Sequence, residues 1–167
     1  LAESPVKAGL LWAGTDAGKL WITENDGQHW TDLSAGLPAP VKGQWIMRVE
    51  AGNQEASVAY LAVDGHRSGN FSPLAFRTAD GGKTWHSIAG NLPAEGPVKV
   101  LREDPKNPKL LYAGTEFGLF VSVDRGASWV KFGDLPTVAV DDIAVHPREG
   151  DLIIATHGRS LFVVDDI

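Results

Sequence analysis

Seven charged side chains stand in short segments punctuated by Gly, Ser and Asn: Asp16, Asp64, His66, Arg67, Glu116, His157 and Arg159. A His/Arg pair suits carboxylate, phosphate or sugar hydroxyls, because the imidazole and the planar guanidinium present N–H donors in fixed directions. Asp64, His66, Arg67, Glu116, His157 and Arg159 are therefore the candidate ligand-binding set. Asp16 and Glu116 end near-identical strings, Leu11-Trp12-Ala13-Gly14-Thr15-Asp16 and Leu111-Tyr112-Ala113-Gly114-Thr115-Glu116. Two carboxyls in equivalent positions are what glycoside hydrolysis uses, at about 5 Å for retention and wider for inversion. They are the catalytic candidates, although spacing in sequence fixes no distance between them. The competing reading is that the His and Arg residues brace neighbouring loops through ion pairs with Glu116 and Asp64. His29, His86 and His146 read as surface or turn residues. No His/Asp/Glu spacing matches a metal site, the chain has no Cys, and no cofactor is expected.

The elements that carry these residues are set by a repeat. Three octapeptides resemble one another: Thr23-Glu24-Asn25-Asp26-Gly27-Gln28-His29-Trp30, Thr78-Ala79-Asp80-Gly81-Gly82-Lys83-Thr84-Trp85 and Ser122-Val123-Asp124-Arg125-Gly126-Ala127-Ser128-Trp129. They recur at about 50 residues, a period of propellers and solenoids. A looser copy of the upstream string is Ile153-Ile154-Ala155-Thr156-His157-Gly158, and an apolar-aromatic pair follows each of the three copies: Leu20-Trp21, Leu119-Phe120 and Leu161-Phe162. Within each box a short Asp or Asn accepts hydrogen bonds from its own turn, and Gly permits positive φ. Trp adds a large apolar area to the blade-to-blade core. Thr23, Asn25, Gly27 and Trp30, then Thr78, Asp80, Gly82 and Trp85, then Ser122, Asp124, Gly126 and Trp129 are thus read as structural.

Each repeat reads as four short strands without helical period. Residues 97–102, 110–115, 119–123 and 129–132 form one blade, and 45–50, 58–63, 74–78 and 85–88 another. Residues 9–15, 19–23 and 29–33 lack a clear innermost strand; 138–145, 151–156 and 160–165 stop before an outermost one. The expected architecture is all-β: a propeller segment of two complete blades (39–93 and 94–135) flanked by two partial ones (1–38 and 136–167). Asp141-Asp142 reads as a strand irregularity and Asp165-Asp166 as a strand end. Loops between second and third strands emerge on one face together with the blade-to-blade connections, and this face collects the seven charged residues.

Composition excludes some classes. A net charge of −6 with no Lys/Arg cluster argues against nucleic-acid binding. No apolar run approaches a membrane span, so no membrane partner is expected. The chain begins at Leu1 without Met, which points to a processed or excerpted product.

Ser/Thr-x-Asp-x-Gly-x-Thr-Trp is the Asp-box pattern, also called the bacterial neuraminidase repeat. Thr78–Trp85 matches it fully; the third box has Ser128 for Thr, and the first has Asn25 and His29. The strings Arg102-Glu103-Asp104-Pro105, Gly114-Thr115-Glu116-Phe117-Gly118-Leu119, His146-Pro147-Arg148 and Thr156-His157-Gly158-Arg159-Ser160-Leu161 resemble the closing blades of large bacterial propellers. Those are related to the sortilin-type domain and to propeller glycoside hydrolases. The resemblance implies an extracellular or periplasmic bacterial protein. It leaves three functions open: a module binding protein, peptide or glycan; part of a sialidase-like or glucanase-like hydrolase; or a self-assembling structural unit. Sialidase chemistry needs an arginine triad and an activated Tyr, whereas Tyr60 and Tyr112 both fall in buried strands. The open ends imply either missing blades of a parent protein or a homodimer closing a ring of about six to eight blades.

Overall fold

The computed structural model describes residues 1–133 and 135–167; residue 134, inside the third expected blade, lies outside the described residues. Runs of Val, Ile, Leu and aromatic residues, each stopped by Gly, Pro, Asn or Asp, form short strands. Blade 1 holds β1 (Ala2–Glu3), β2 (Leu11–Gly14), β3 (Leu20–Thr23) and β4 (Thr31–Asp32). Blade 2 holds β5 (Trp45–Ala51), β6 (Ala59–Asp64), β7 (Leu74–Thr78) and β8 (His86–Ser87). Blade 3 holds β9 (Val98–Glu103), β10 (Leu111–Thr115), β11 (Gly118–Ser122) and β12 (Val130–Lys131). Blade 4 holds β13 (Val140–Val145), β14 (Leu152–Thr156) and β15 (Leu161–Val164). Every blade is an antiparallel meander in chain order. Helix among the described residues is limited to 3-10 turns at Ser34–Gly36, Ala39–Val41 and His66–Ser68. None is long and apolar enough to cross a membrane. The chain is an all-β propeller segment.

One detail departs from the sequence reading. Blade 1 does have an inner strand, the two-residue β1, whose Ala2 and Glu3 pair with Trp12 and Leu11. Two paired residues are enough to complete the sheet and too few to leave a pattern in the sequence.

The core is three apolar layers, one between each pair of successive blades. The forward face of a blade packs on the rear face of the next. Trp12, Leu20 and Ile22 of blade 1 meet Leu61, Val63, Phe76 and Trp85 of blade 2. Tyr60, Ala62, Ala75, Ile88 and Leu92 of blade 2 meet Leu111, Ala113, Phe120 and Trp129 of blade 3. Tyr112 and Leu119 of blade 3 meet Leu152, Ile154 and Phe162 of blade 4. Burial of each large side chain contributes about 1.5–3 kcal/mol. β6 and β10 are apolar on both faces because each lies between two such layers.

The boxes close the turn between the third and fourth strands. Thr78 donates its hydroxyl proton to Asp80 at 2.8 Å and accepts from the Gly82 N–H at 3.0 Å. Asp80 in turn accepts from the Thr84 N–H and hydroxyl at 2.9 and 2.6 Å. Ser122, Asp124, Gly126 and Ser128 repeat the pattern. Gly82 has φ +84°, and a Cβ there would lie 2.6 Å from the Leu33 side chain, so both conformation and space require Gly. In the first box Asn25 keeps the bond to the His29 N–H, and its amide nitrogen lies 3.1 Å from His29 Nδ1. Asp-to-Asn and Thr-to-His are thus a matched exchange: the acceptor–donor pair becomes donor–acceptor. Each box Trp packs backward, on the preceding blade. Trp85 meets Trp12 edge-on at 6.3 Å, and Trp129 donates its indole N–H to the Ile88 carbonyl at 2.8 Å. Trp30 has no preceding blade in the chain and is 40% exposed, unlike the other two.

Candidate binding face and axial ion network

The inner strands of blades 2, 3 and 4 share one irregularity. In each, the ladder skips one residue near the strand start: Met47 between Ile46 and Arg48, Lys99 between Val98 and Val100, and Asp141 between Val140 and Asp142. Such a bulge re-aims side chains, and bulges collect at rims and near functional sites. Because all three sit at the same register, they give the axis a layer of repositioned residues. Asp141-Asp142 is therefore an irregularity, as its sequence suggested, and also the hub of two ion networks.

The upper network lies where the loops begin. Lys99 Nζ is 2.9 Å from Asp141 and 3.2 Å from Glu116, and Asp141 is 3.1 Å from His157 Nδ1. Burial pulls the Lys99 pKa down, but hydrogen bonds and attraction from Asp141 and Glu116 prevail, holding it above the ordinary value. Burial likewise pushes Asp141 up, and its bonds to Lys99 and His157 overcome this and hold it low. Both groups are charged at neutral pH.

The lower network spans three blades. Arg102 of β9 pairs with Glu50 of β5 and, at 3.1 Å, with Asp142 of β13. Arg48 of β5 reaches the same Asp142 oxygen at 2.6 Å. Arg102 also donates to the Ile143 carbonyl at 2.6 Å. Burial pushes the Glu50 carboxyl up to about 7, against the pull of Arg102 and Arg48. Arg48, Glu50, Arg102 and Glu3 line an axial cavity of about 320 Å³.

Of the six ligand-binding candidates, Glu116 and His157 are tied into the upper network, through Lys99 and Asp141 rather than to each other. Asp64 accepts from the His66 N–H at 2.8 Å and starts the 3-10 turn of the 64–73 loop. His66 stacks edge-on against Phe71 at 5.1 Å, and the Arg67 guanidinium lies 5.0 Å from the Trp45 ring centroid. Arg159 is exposed, with no ion-pair partner among the described residues. Asp16 is also exposed on the 15–18 loop, and Glu116 is held by Lys99. Pairing is thus real on this face, but it runs through Lys99 and the His157 ring. Arg67 instead rests on an aromatic ring. Phe71 and Phe117 add exposed aromatic surface, at 46% and 39%.

Sequence reasoning missed Arg48, Glu50, Lys99, Arg102 and the pairing role of Asp141 and Asp142. One signal was available: adjacent carboxylates at a strand start cannot share a face unless the strand bulges. It also missed Glu103, whose buried carboxylate accepts from Tyr60 Oη at 2.5 Å and from the Asn53 N–H at 2.6 Å. Burial, then the Glu103 bond, raises the Tyr60 pKa well above its ordinary value. Tyr60 is therefore a buried donor clamping blades 2 and 3.

No family model matches the chain. It is 26% identical over 136 residues to a probable oligoxyloglucan-reducing end-specific xyloglucanase of Neosartorya fischeri, and 27% identical to the Emericella nidulans enzyme. Each match covers 81% of this chain and 16% of the relative, so the chain spans about a sixth of their length. Among solved structures, the GH74 xyloglucanase of Xanthomonas campestris superposes with a TM-score of 0.68 at 17% identity, over 93% of this chain and 26% of that one. YCF48 bound to D1 peptide gives 0.62 over 92% and 47%. The extracellular domain of a putative one-component system of B. thetaiotaomicron gives 0.66 over 97% and 20%. The chain has the propeller fold found in these glycoside hydrolases.

Proposed function

We propose that this chain is a set of Asp-box blades from a glycan-binding propeller of the glycoside hydrolase-like group, and that it binds carbohydrate without cleaving it. The observation that carries this reading is the pairing of the loop-face carboxylates. Glu116 and Asp141 both contact Lys99 Nζ, so neither is free to serve as acid or nucleophile. The same loop face carries exposed Phe71 and Phe117, with Arg67 held over Trp45. Aromatic faces with a few fixed polar groups are the usual lining of an organic ligand site. Glycan is favoured over peptide because the curated relatives are named xyloglucanases. The exterior setting of such ligands agrees with an extracellular or periplasmic location.

One observation favours a second reading, a share of a hydrolase active site. Glu50 and Asp142 contact the same guanidinium, and Glu50 is held near neutrality. A carboxyl raised by burial is a candidate general acid.

Calorimetric titration with xyloglucan oligosaccharides tests both. Binding without release of reducing ends is expected. Phe71→Ala and Arg67→Ala should each weaken binding at least about tenfold, as central contacts do. Hydrolysis lost in Glu50→Gln would favour the second reading. Absence of binding to any oligosaccharide would defeat both.

A further inference from the structure

A groove of about 540 Å³ runs between the first two boxes, at the junction of blades 1 and 2. It opens where the next junction carries long side chains. Ile22 pairs with Trp12 and Thr31 as Arg77 pairs with Tyr60 and His86, so Ile22 and Arg77 hold the same register. Gly81 donates its N–H to the Ser57 carbonyl as Arg125 does to the Lys109 carbonyl. Blade 2 therefore lines the first junction with Ser57 and Gly81, where blade 3 brings Lys109 and Arg125 to the second. Three short residues in place of Arg77, Lys109 and Arg125 leave room for a ligand, and the volume is that of a small-molecule site.

The lining combines apolar surface with free donors. Leu10 is 2% exposed, and Ile22 and Ala56 are half-buried. The altered first box supplies one donor. Asn25 Oδ1 accepts from the His29 N–H and the Thr23 hydroxyl, both at 2.9 Å, so the amide nitrogen donates to His29 Nδ1 at 3.1 Å. The neutral ring thus carries its proton on Nε2, which has no partner among the described residues. Lys83 lines the same groove and forms no ion pair among the described residues, whereas Lys7 is held by Glu24 at 2.9 Å. The Asp80 oxygens are engaged by Thr78 and Thr84. Asn25 stands where the other boxes have Asp, so the first box adds no carboxylate to the groove.

From this lining we propose that the groove binds an organic carboxylate on a short aliphatic stem. The stem lies against Leu10, Ile22 and Ala56. The carboxylate accepts charge-assisted hydrogen bonds from His29 Nε2 and Lys83 Nζ.

Backbone amide shifts during titration with butyrate test this, with butyramide, inorganic phosphate and galacturonate run alongside. Saturable shifts at residues 22–31, 56–57 and 80–83 are expected for butyrate. Binding should be at least about tenfold weaker for butyramide, which lacks the charge, and for phosphate, which lacks the stem. Galacturonate, whose carboxylate sits on a sugar ring, should also bind more weakly. Lys83→Met should weaken butyrate binding about tenfold, as loss of a charged hydrogen bond does. Asn25→Asp combined with His29→Thr should do the same with an unchanged circular dichroism spectrum, since it installs the donors and acceptors of the second box. Neither variant should alter the response of the loop face to xyloglucan oligosaccharides, so failure of one site is read apart from failure of the other. Equal responses to butyrate and butyramide, or to butyrate and phosphate, would overturn the proposal. So would galacturonate binding as tightly as butyrate, or undiminished butyrate binding in the folded double variant.

Discussion

Asp80 and Asp124 each organise one turn, and their titration reports on it. Bonds from the Thr84 hydroxyl and N–H hold Asp80 well below the usual carboxylate range; those from Ser128 take Asp124 to about 2. A folded-state pKa below the unfolded value of about 4 contributes stability that is full above that value. It is lost as pH falls through the folded pKa. Acid unfolding of the wild type should therefore include a step between about pH 4 and 2. Asp80→Asn and Asp124→Asn should each lower the midpoint of a neutral-pH urea titration, diminish the acid step and leave glycan affinity intact. Full stability with lost binding would reassign the boxes to function. Asn25 and His29 show that the turn can be held by another donor–acceptor pair, which is why the first box tolerates its departure from the pattern.

At the scale of the element, the box Trp explains how blades are stacked. Trp85 and Trp129 fill the layer toward the preceding blade and are 7% and 3% exposed. Replacing either with Ala should cost about 3–5 kcal/mol in urea titration, as large core deletions do. Trp30→Ala should cost about 0.5 kcal/mol or less, as changes at exposed positions do. Equal losses at all three positions would contradict the backward packing. The strands were legible because each is bounded by residues that end strands for local reasons, as Asp104-Pro105-Lys106-Asn107-Pro108 does between β9 and β10. β1 was not, since two residues carry no period. The bulges at Met47, Lys99 and Asp141 were hidden as well: a skipped pairing belongs to two strands at once and leaves no turn residue behind. The loop residues could be grouped on one face from strand order alone. Their partners could not, because Lys99 meets Asp141 and Arg48 meets Asp142 across blades, and nothing local in the sequence encodes those contacts.

For the whole molecule, four blades stack with the three box turns on one face and the loops between second and third strands on the other, and the axial Arg102 ties three blades together. The loop face is the one proposed to bind glycan. The box face holds its own groove, of about 540 Å³, between the first two boxes and lined by Asn25, His29, Asp80 and Lys83. The two faces lie at opposite ends of the strands, so backbone amide shifts during titration with a xyloglucan oligosaccharide distinguish them. Saturable shifts are expected in the 64–73, 115–118 and 156–160 loops, with Trp45, and none at residues 24–30 or 79–84. Shifts confined to the box turns and the groove between them would contradict binding at the loop face.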